Sequence, residues 1–139
     1  MNDDDNQMLD DGPNHTGREL ELMLKRAKPL AMFYDNPNEA TDPPLVPEAE
    51  FDPYVSSGAF EKATRIFTLA MDPRTGKAYR VRYVLYALTE EKWRIPALFL
   101  AIETSLKITM PNEAIDRIKS SLLGYTDQEI EAYFNFQKK

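Results

Sequence analysis

The chain has 139 residues, of which 42% are hydrophobic and 29% charged, a composition typical of one globular domain. It contains no cysteine, which excludes disulfides, thiol catalysis, iron–sulfur clusters and cysteine-ligated zinc. The formal charge of −6 is unevenly divided, because residues 1–16 carry five aspartates and no Lys or Arg. The rest of the chain is nearly neutral, which disfavours an acidic mimic of nucleic acid, since such a protein needs its charge on the folded surface.

Residues 1–15 form a polar, acidic segment that is predicted to be a disordered tail, because it cannot bury enough apolar surface to offset ordering. The α+β domain is therefore predicted to span residues 16–139. The start Met-Asn-Asp-Asp-Asp lacks the basic and apolar parts of a signal peptide, and no apolar run approaches the roughly 20 residues of a membrane helix. We expect a cytoplasmic protein without membrane contact, with the general character of a small bacterial or phage protein.

Capping and spacing signals predict the first helix and strand. Thr16 and Glu19 fit a capping box, and apolar residues follow at helical spacing. Because Pro29 cannot continue a helix, this helix is predicted to end near Lys28. The short apolar segment Leu30–Tyr34 predicts a strand.

A loop and a second helix are predicted next. Four prolines in residues 36–47 indicate a stiff loop. Asp52 before Pro53 is typical of a helix N-cap followed by proline in the first turn, and Gly58 is typical of a helix stop. A helix of one or two turns is predicted between them.

Residues 59–71 and 78–88 are rich in β-branched and aromatic residues, and strong turn formers join them at residues 72–77. They predict a β-hairpin at the centre of a small sheet. A further short strand is predicted at Trp93–Ile95.

Three helices are predicted at the C-terminal end. Residues 96–107 contain an apolar run that favours a mostly buried helix, with a strand as the alternative. A second helix is predicted from Pro111 to a stop at Gly124, and Thr126 with Glu129 forms a capping box for the last helix. The predicted architecture is an α+β fold, in which an antiparallel sheet of three to four strands packs helices on one face.

The residues needed for common catalytic centres are missing. The single histidine, His15, adjoins the predicted tail, so it is expected to be solvated and not held as a catalytic base or a metal ligand. No catalytic residue, cofactor or metal site is predicted. A hydrolase or isomerase that uses carboxylates alone is the third interpretation of function, and finding no pocket lined by carboxylates would argue against it. Glu103 is its candidate buried acid, but an ion pair with Lys107 at the solvent edge of the helix is the favoured role of this residue.

The hairpin is basic, because residues 62–82 carry six Lys or Arg side chains against one acid, Asp72. Alternate residues of a strand point to opposite faces of the sheet. If the odd-numbered residues from Tyr79 to Leu85 face the helices, then Arg80, Arg82 and Tyr86 project outward. Arginine and tyrosine on an open sheet face can contact phosphates and stack on bases. The competing interpretation is a solvated face that keeps the sheet soluble, and the small number of cations favours it.

The last helix carries aromatic residues on more than one face, so they cannot all enter one core. Tyr133 and Phe136 are therefore predicted to contact a partner protein or a second copy of the chain. The first interpretation of function is a small non-enzymatic protein–protein interaction module, such as an adaptor, inhibitor or regulator. The second is a nucleic-acid or phosphate-binding protein that uses the basic hairpin 62–82.

Overall fold

The computed structural model describes residues 15–108 and 112–137, with their side chains except those of Ala70, Phe136 and Gln137. In these ranges three strands form one antiparallel sheet: β1 (Leu30–Asp35), β2 (Phe60–Met71) and β3 (Ala78–Leu88). Five helices accompany the sheet: α1 (Glu19–Leu24), α2 (Glu48–Ser56), α3 (Arg94–Lys107), α4 (Glu113–Leu122) and α5 (Asp127–Gln137). The predicted α+β fold, its hairpin and its three C-terminal helices are confirmed. Of the tail predicted to be disordered, residues 1–15, all but His15 lie outside the described residues, and His15 is buried.

The strand order is β1-β3-β2, so β3 is the central strand and β2 forms one edge of the sheet. β1 pairs with β3 only as far as Asp35, which lies opposite Arg82. β2 pairs with β3 further, as far as Met71 opposite Ala78, with a bulge after Thr68. The ends of β2 and β3 therefore form a two-stranded ribbon that extends beyond β1.

Helices cover both faces of the sheet, so the expectation that they lie on one face is wrong. On the first face, Val84 and Tyr86 of β3 pack with Phe51 of α2 and Met23 of α1. On the opposite face, Leu85 of β3 packs in a second core with α3 and α4. The physical reason is that Val84–Leu88 is an unbroken buried apolar run, which is typical of a strand enclosed on both sides.

Three predicted boundaries are wrong. α1 ends at Leu24, because the chain turns at Arg26, which adopts a φ of 61° in the left-handed region. α2 begins at Glu48, so Asp52 is not its N-cap and Pro53 lies inside it. Trp93–Ile95 is not a strand, since α3 begins at Arg94 after a short 3-10 turn.

The C-terminal helices follow the predicted signals closely. The segment 96–107 lies within α3, which excludes the strand alternative for it. Thr126 N donates to Glu129 Oε1 at 2.8 Å and Glu129 N donates to Thr126 Oγ1 at 3.1 Å, so the second capping box is present. Pro111, the predicted start of the next helix, lies outside the described residues, and α4 begins at Glu113. None of the helices within 15–108 and 112–137 is both long and apolar enough to cross a membrane.

Candidate interaction surfaces

The outward face predicted for Arg80, Arg82 and Tyr86 is instead largely covered by α2. Arg82 Nε and Nη2 donate to both carboxylate oxygens of Asp35, at 2.9 and 2.8 Å, and Nη2 also donates to Glu48 Oε1 at 3.1 Å. Two parallel hydrogen bonds to one carboxylate hold a guanidinium in a fixed orientation. Arg82 is therefore engaged inside the protein and is not available to a phosphate.

Tyr86 is completely buried, so the prediction that it projects outward is wrong. Its hydroxyl donates to Asp52 Oδ1 at 2.7 Å, and Lys62 Nζ donates to the same oxygen at 3.0 Å. Burial, followed by the hydrogen bond to Asp52, raises the pKa of Tyr86 above the usual range for tyrosine. The tyrosine thus keeps its proton and acts as a donor in the core.

The acidic partners of these groups were missed by sequence reasoning. Glu48 and Asp52 are four residues apart on α2, and this spacing places both on one side of a helix. The four-residue spacing could have indicated that Glu48 and Asp52 lie together. It was not recognised because the helix was predicted to begin at Asp52, which placed Glu48 outside it. A further acid, Glu103 of α3, accepts from Arg65 Nη2 at 3.0 Å on the opposite face of the sheet. Glu103 is therefore an ion-pair partner, which gives no support for its role as a buried acid.

The basic charge of the hairpin is therefore concentrated near its free end, which we define as residues 66–81. Lys62, Arg65 and Arg82 form ion pairs with acids from other elements. The three remaining cations of the hairpin lie in its free end, and they are Arg74, Lys77 and Arg80. Arg74 lies 3.8 Å from Asp72, and within the described ranges neither Lys77 nor Arg80 forms an ion pair. Arg80 is exposed, as predicted.

The free end of the hairpin also exposes large apolar side chains. Ile66 and Leu69 are each 48% exposed, Tyr79 is 61% exposed and Met71 is 67% exposed. Tyr34 of β1 adjoins this region, because its ring lies 5.5 Å from that of Tyr83 on the same face of the sheet. Exposed aromatic, Met and Arg side chains are the types enriched in protein–protein interfaces.

The C-terminal helices form a second surface. Phe134 is buried, whereas Tyr133 is 36% exposed. The two rings pack edge to face, with their centroids 5.2 Å apart. Tyr133 lines a cavity of about 370 Å³ between α4, α5 and Met32 of β1. The side chain of Phe136 lies outside the described part of the structure. Tyr133 lies on α5, whereas Arg80 and Arg82 lie on β3, and neither arginine lines this cavity. The predicted partner-binding residues therefore do not form one site.

Two carboxylates, Asp116 and Glu129, line this cavity, which is the feature that would favour the carboxylate-only enzyme. Each already interacts with another group of the protein. Glu129 accepts from Thr126 N, and Asp116 lies 3.5 Å from Lys119 Nζ. Oε1 of Glu129 therefore serves a helix cap and Oδ1 of Asp116 a surface ion pair.

His15 is buried, so the prediction of a solvated histidine is wrong. Its ring stacks on that of Tyr125 with centroids 3.8 Å apart, and Lys28 Nζ lies 2.9 Å from His15 Nδ1. Lys28 Nζ also donates to the carbonyl oxygen of Leu123 at 2.6 Å. This cluster attaches the N-terminal segment to the turn between α4 and α5.

Burial shifts the titration of both members of this cluster. The loss of water around His15, followed by the nearby charge of Lys28, lowers the pKa of His15 to about 4. Burial also lowers the pKa of Lys28 to about 8. Burial is the largest cause of both shifts. Neither residue itself lines the cavity between α4 and α5, although His15 stacks on Tyr125, which does.

No family model, no curated protein and no solved structure matches this chain.

Proposed function

We propose that this chain is a small non-enzymatic protein–protein interaction module that binds a partner through the free end of the hairpin, residues 66–81. The observation that carries this proposal is the group of exposed large apolar side chains there: Ile66, Leu69, Met71 and Tyr79. Leu69, Met71 and Tyr79 lie on the ribbon that extends beyond β1, and Ile66 lies at its base, opposite Arg82, so a partner can reach them without displacing a helix.

The charge around this apolar group indicates the chemistry of the partner. Arg74, Lys77 and Arg80 adjoin it, with Asp72 as the acid of the connecting turn. A partner surface with an apolar centre and an acidic rim would complement this arrangement, because opposite potentials speed association and select the partner. The paired cations Arg82 and Lys62 would not take part.

The proposal is tested by affinity capture with the purified full chain, followed by titration of each captured protein by calorimetry. The double variant Leu69→Ser with Tyr79→Ser removes exposed apolar area without touching the core, so it should fold normally and lose the partner. Tyr133→Ser is the matched control, because it changes an aromatic residue on the other surface. If the double variant binds every captured protein with unchanged affinity, the free end is not the binding surface.

Salt dependence separates this proposal from nucleic-acid binding. A polyanion binder loses affinity steeply with salt, in proportion to the number of phosphates that it neutralises. We expect a single-stranded oligonucleotide to bind weakly, and Arg80→Ala to change that binding little. Tight oligonucleotide binding that falls steeply with salt and with Arg80→Ala would favour the nucleic-acid interpretation instead.

A further inference from the structure

The outer edge of β2 carries hydrogen-bonding groups that the sheet does not use. Thr89 N donates to the carbonyl oxygen of Ala59 at 3.2 Å, which continues the β2–β3 ladder. Because bonding alternates along an antiparallel strand, odd-numbered residues up to the bulge bond to β3 and even-numbered ones direct their N–H and C=O outward. The outward residues are Phe60, Lys62, Thr64, Ile66 and Thr68. Over 15–108 and 112–137, no backbone group outside the sheet hydrogen-bonds with them.

The helices leave this edge accessible. The Phe51 ring of α2 contacts rings on all three strands: Phe33 at 5.2 Å, Tyr86 at 4.7 Å and Phe60 at 6.0 Å. α2 therefore packs against the face of the sheet, and its Glu48 and Asp52 also bond to Lys62 of β2. An open edge of this kind is a template for another strand unless it is blocked.

We propose that a second copy of this chain pairs with β2 in an antiparallel register centred on Ala63, which joins the two sheets into one of six strands. A two-fold axis through Ala63 places Glu61 opposite Arg65 of the second copy, and Arg65 opposite its Glu61. These residues form non-hydrogen-bonded pairs, in which side chains approach most closely. Opposite charges directly across a strand pair stabilise it.

Two neighbouring registers are disfavoured by charge, and an axis through Thr64 places neither Glu61 nor Arg65 opposite a charged residue. An axis through Lys62 or through Arg65 would place that cation directly opposite its own copy, which is repulsive. The register centred on Ala63 also places the exposed Ile66 beside Phe60 of the second copy. The sequence of β2 is thus complementary to itself in this register.

α3 adds apolar surface beside the same axis. The ion pair between Arg65 and Glu103 shows that one side of α3 lies near the β2 edge. Leu100 precedes Glu103 by one helical turn and is 65% exposed. In the proposed dimer the two α3 helices lie on the same face of the joined sheet, where each Leu100 is directed towards the other copy.

This dimer differs from the one predicted through the C-terminal helix. It shares Ile66 with the proposed partner surface 66–81, whereas Glu61, Thr64 and Arg65 lie outside that surface. Variants at these three positions therefore test the dimer without changing the residues proposed for partner binding.

The first experiment measures the mass of the full chain by analytical ultracentrifugation over a range of micromolar concentrations. The wild type should sediment as a dimer. Thr64→Pro removes an outward N–H at the centre of the pairing, whereas Thr68→Pro removes one outside it, and both lie at an edge where proline is tolerated. Thr64→Pro should be monomeric and Thr68→Pro dimeric. A monomeric wild type, or a dimeric Thr64→Pro with native circular dichroism, would overturn the proposal.

The second experiment tests the register and does not depend on the folding of a proline variant. Glu61→Lys alone and Arg65→Glu alone each create two like-charge pairs, so each should dimerise at least about tenfold more weakly, the effect of 1.4 kcal/mol. Mixing the two variants restores both attractive pairs and should give a heterodimer of wild-type affinity. If the mixture remains as weak as its components, or if neither variant weakens the dimer, the register is wrong.

Discussion

Tyr86, near the C-terminal end of the central strand, donates its hydroxyl to Asp52 on α2 at 2.7 Å. This bond joins the sheet to the helix that covers it, and Lys62 from the neighbouring strand donates to the same carboxylate. The buried Tyr86 therefore has a partner for its hydroxyl in Asp52, whose carboxylate is half-exposed at the edge of the core.

We predict that Tyr86→Phe lowers the free energy of unfolding by about 1 kcal/mol, the net value of one intramolecular hydrogen bond. Asp52 retains its bond to Lys62, so the carboxylate is not left unpaired. Tyr83→Phe is the control, because the Tyr83 hydroxyl makes no hydrogen bond within the described residues, and its effect should stay within about 0.5 kcal/mol. Chemical denaturation measures both, and equal effects would show that the bond to Asp52 contributes nothing.

Gly124 and Gly58 provide a matched pair at helix stops. Both have positive φ, 99° and 87°, but a Cβ on Gly124 would lie 2.5 Å from Pro29 Cδ, whereas one on Gly58 would meet nothing within 4 Å. Gly58→Ala should cost only the strain of the left-handed conformation, about 1–2 kcal/mol. Gly124→Ala should cost about 1–3 kcal/mol more, because it overpacks the contact with Pro29. Thermal unfolding of the two variants checks this, and similar losses would contradict the close approach.

Arg82 and Arg80 lie two residues apart on β3 and should respond differently to the same change. Arg82→Met leaves Asp35 without its bidentate partner, and we expect a loss of about 1–2 kcal/mol, reduced from the value for a fully buried pair by partial exposure. Arg80→Met should change stability by less than about 0.5 kcal/mol, as for other exposed sites. Urea denaturation distinguishes them. If Arg82→Met leaves the free energy of unfolding unchanged, the ion pair between Arg82 and Asp35 does not stabilise the fold.

The lowered pKa of His15 predicts that the free energy of unfolding depends on pH. This pKa is about 4 in the folded protein, against 6.5 for a solvated histidine. Between these values the unfolded chain binds a proton that the folded protein excludes, so stability falls as pH falls from 6.5 to 4. The loss attributable to His15 should be on the order of 1–3 kcal/mol.

The variant His15→Phe isolates this contribution, because it keeps a ring that can stack on Tyr125 and removes the titrating group. Other acids titrate in the same range, so the relevant quantity is the difference between the wild type and the variant in the slope of unfolding free energy against pH. Parallel curves between pH 4 and 6.5 would show that His15 titrates normally in the fold.

The sequence by itself determined the local elements, because their signals act over short distances. The hairpin follows from two β-rich runs joined by turn formers, and the last helix follows from the reciprocal bonds of Thr126 and Glu129. Sequence reasoning also identified Arg80 as exposed. In each case the residues that decide the structure lie within a few positions of one another.

Only the tertiary structure decided which faces are buried. Alternation along β3 correctly separates Arg82 and Tyr86 from Tyr83 and Leu85, but it does not tell which side a helix covers. Helices cover both faces of the sheet, so Tyr86 is a core residue. Three cations of the basic hairpin form ion pairs with acids on β1, α2 and α3, which leaves fewer of them for a partner. His15 likewise became buried through Tyr125, 110 positions away. Burial and charge pairing are set by contacts between distant segments, and no local pattern records them.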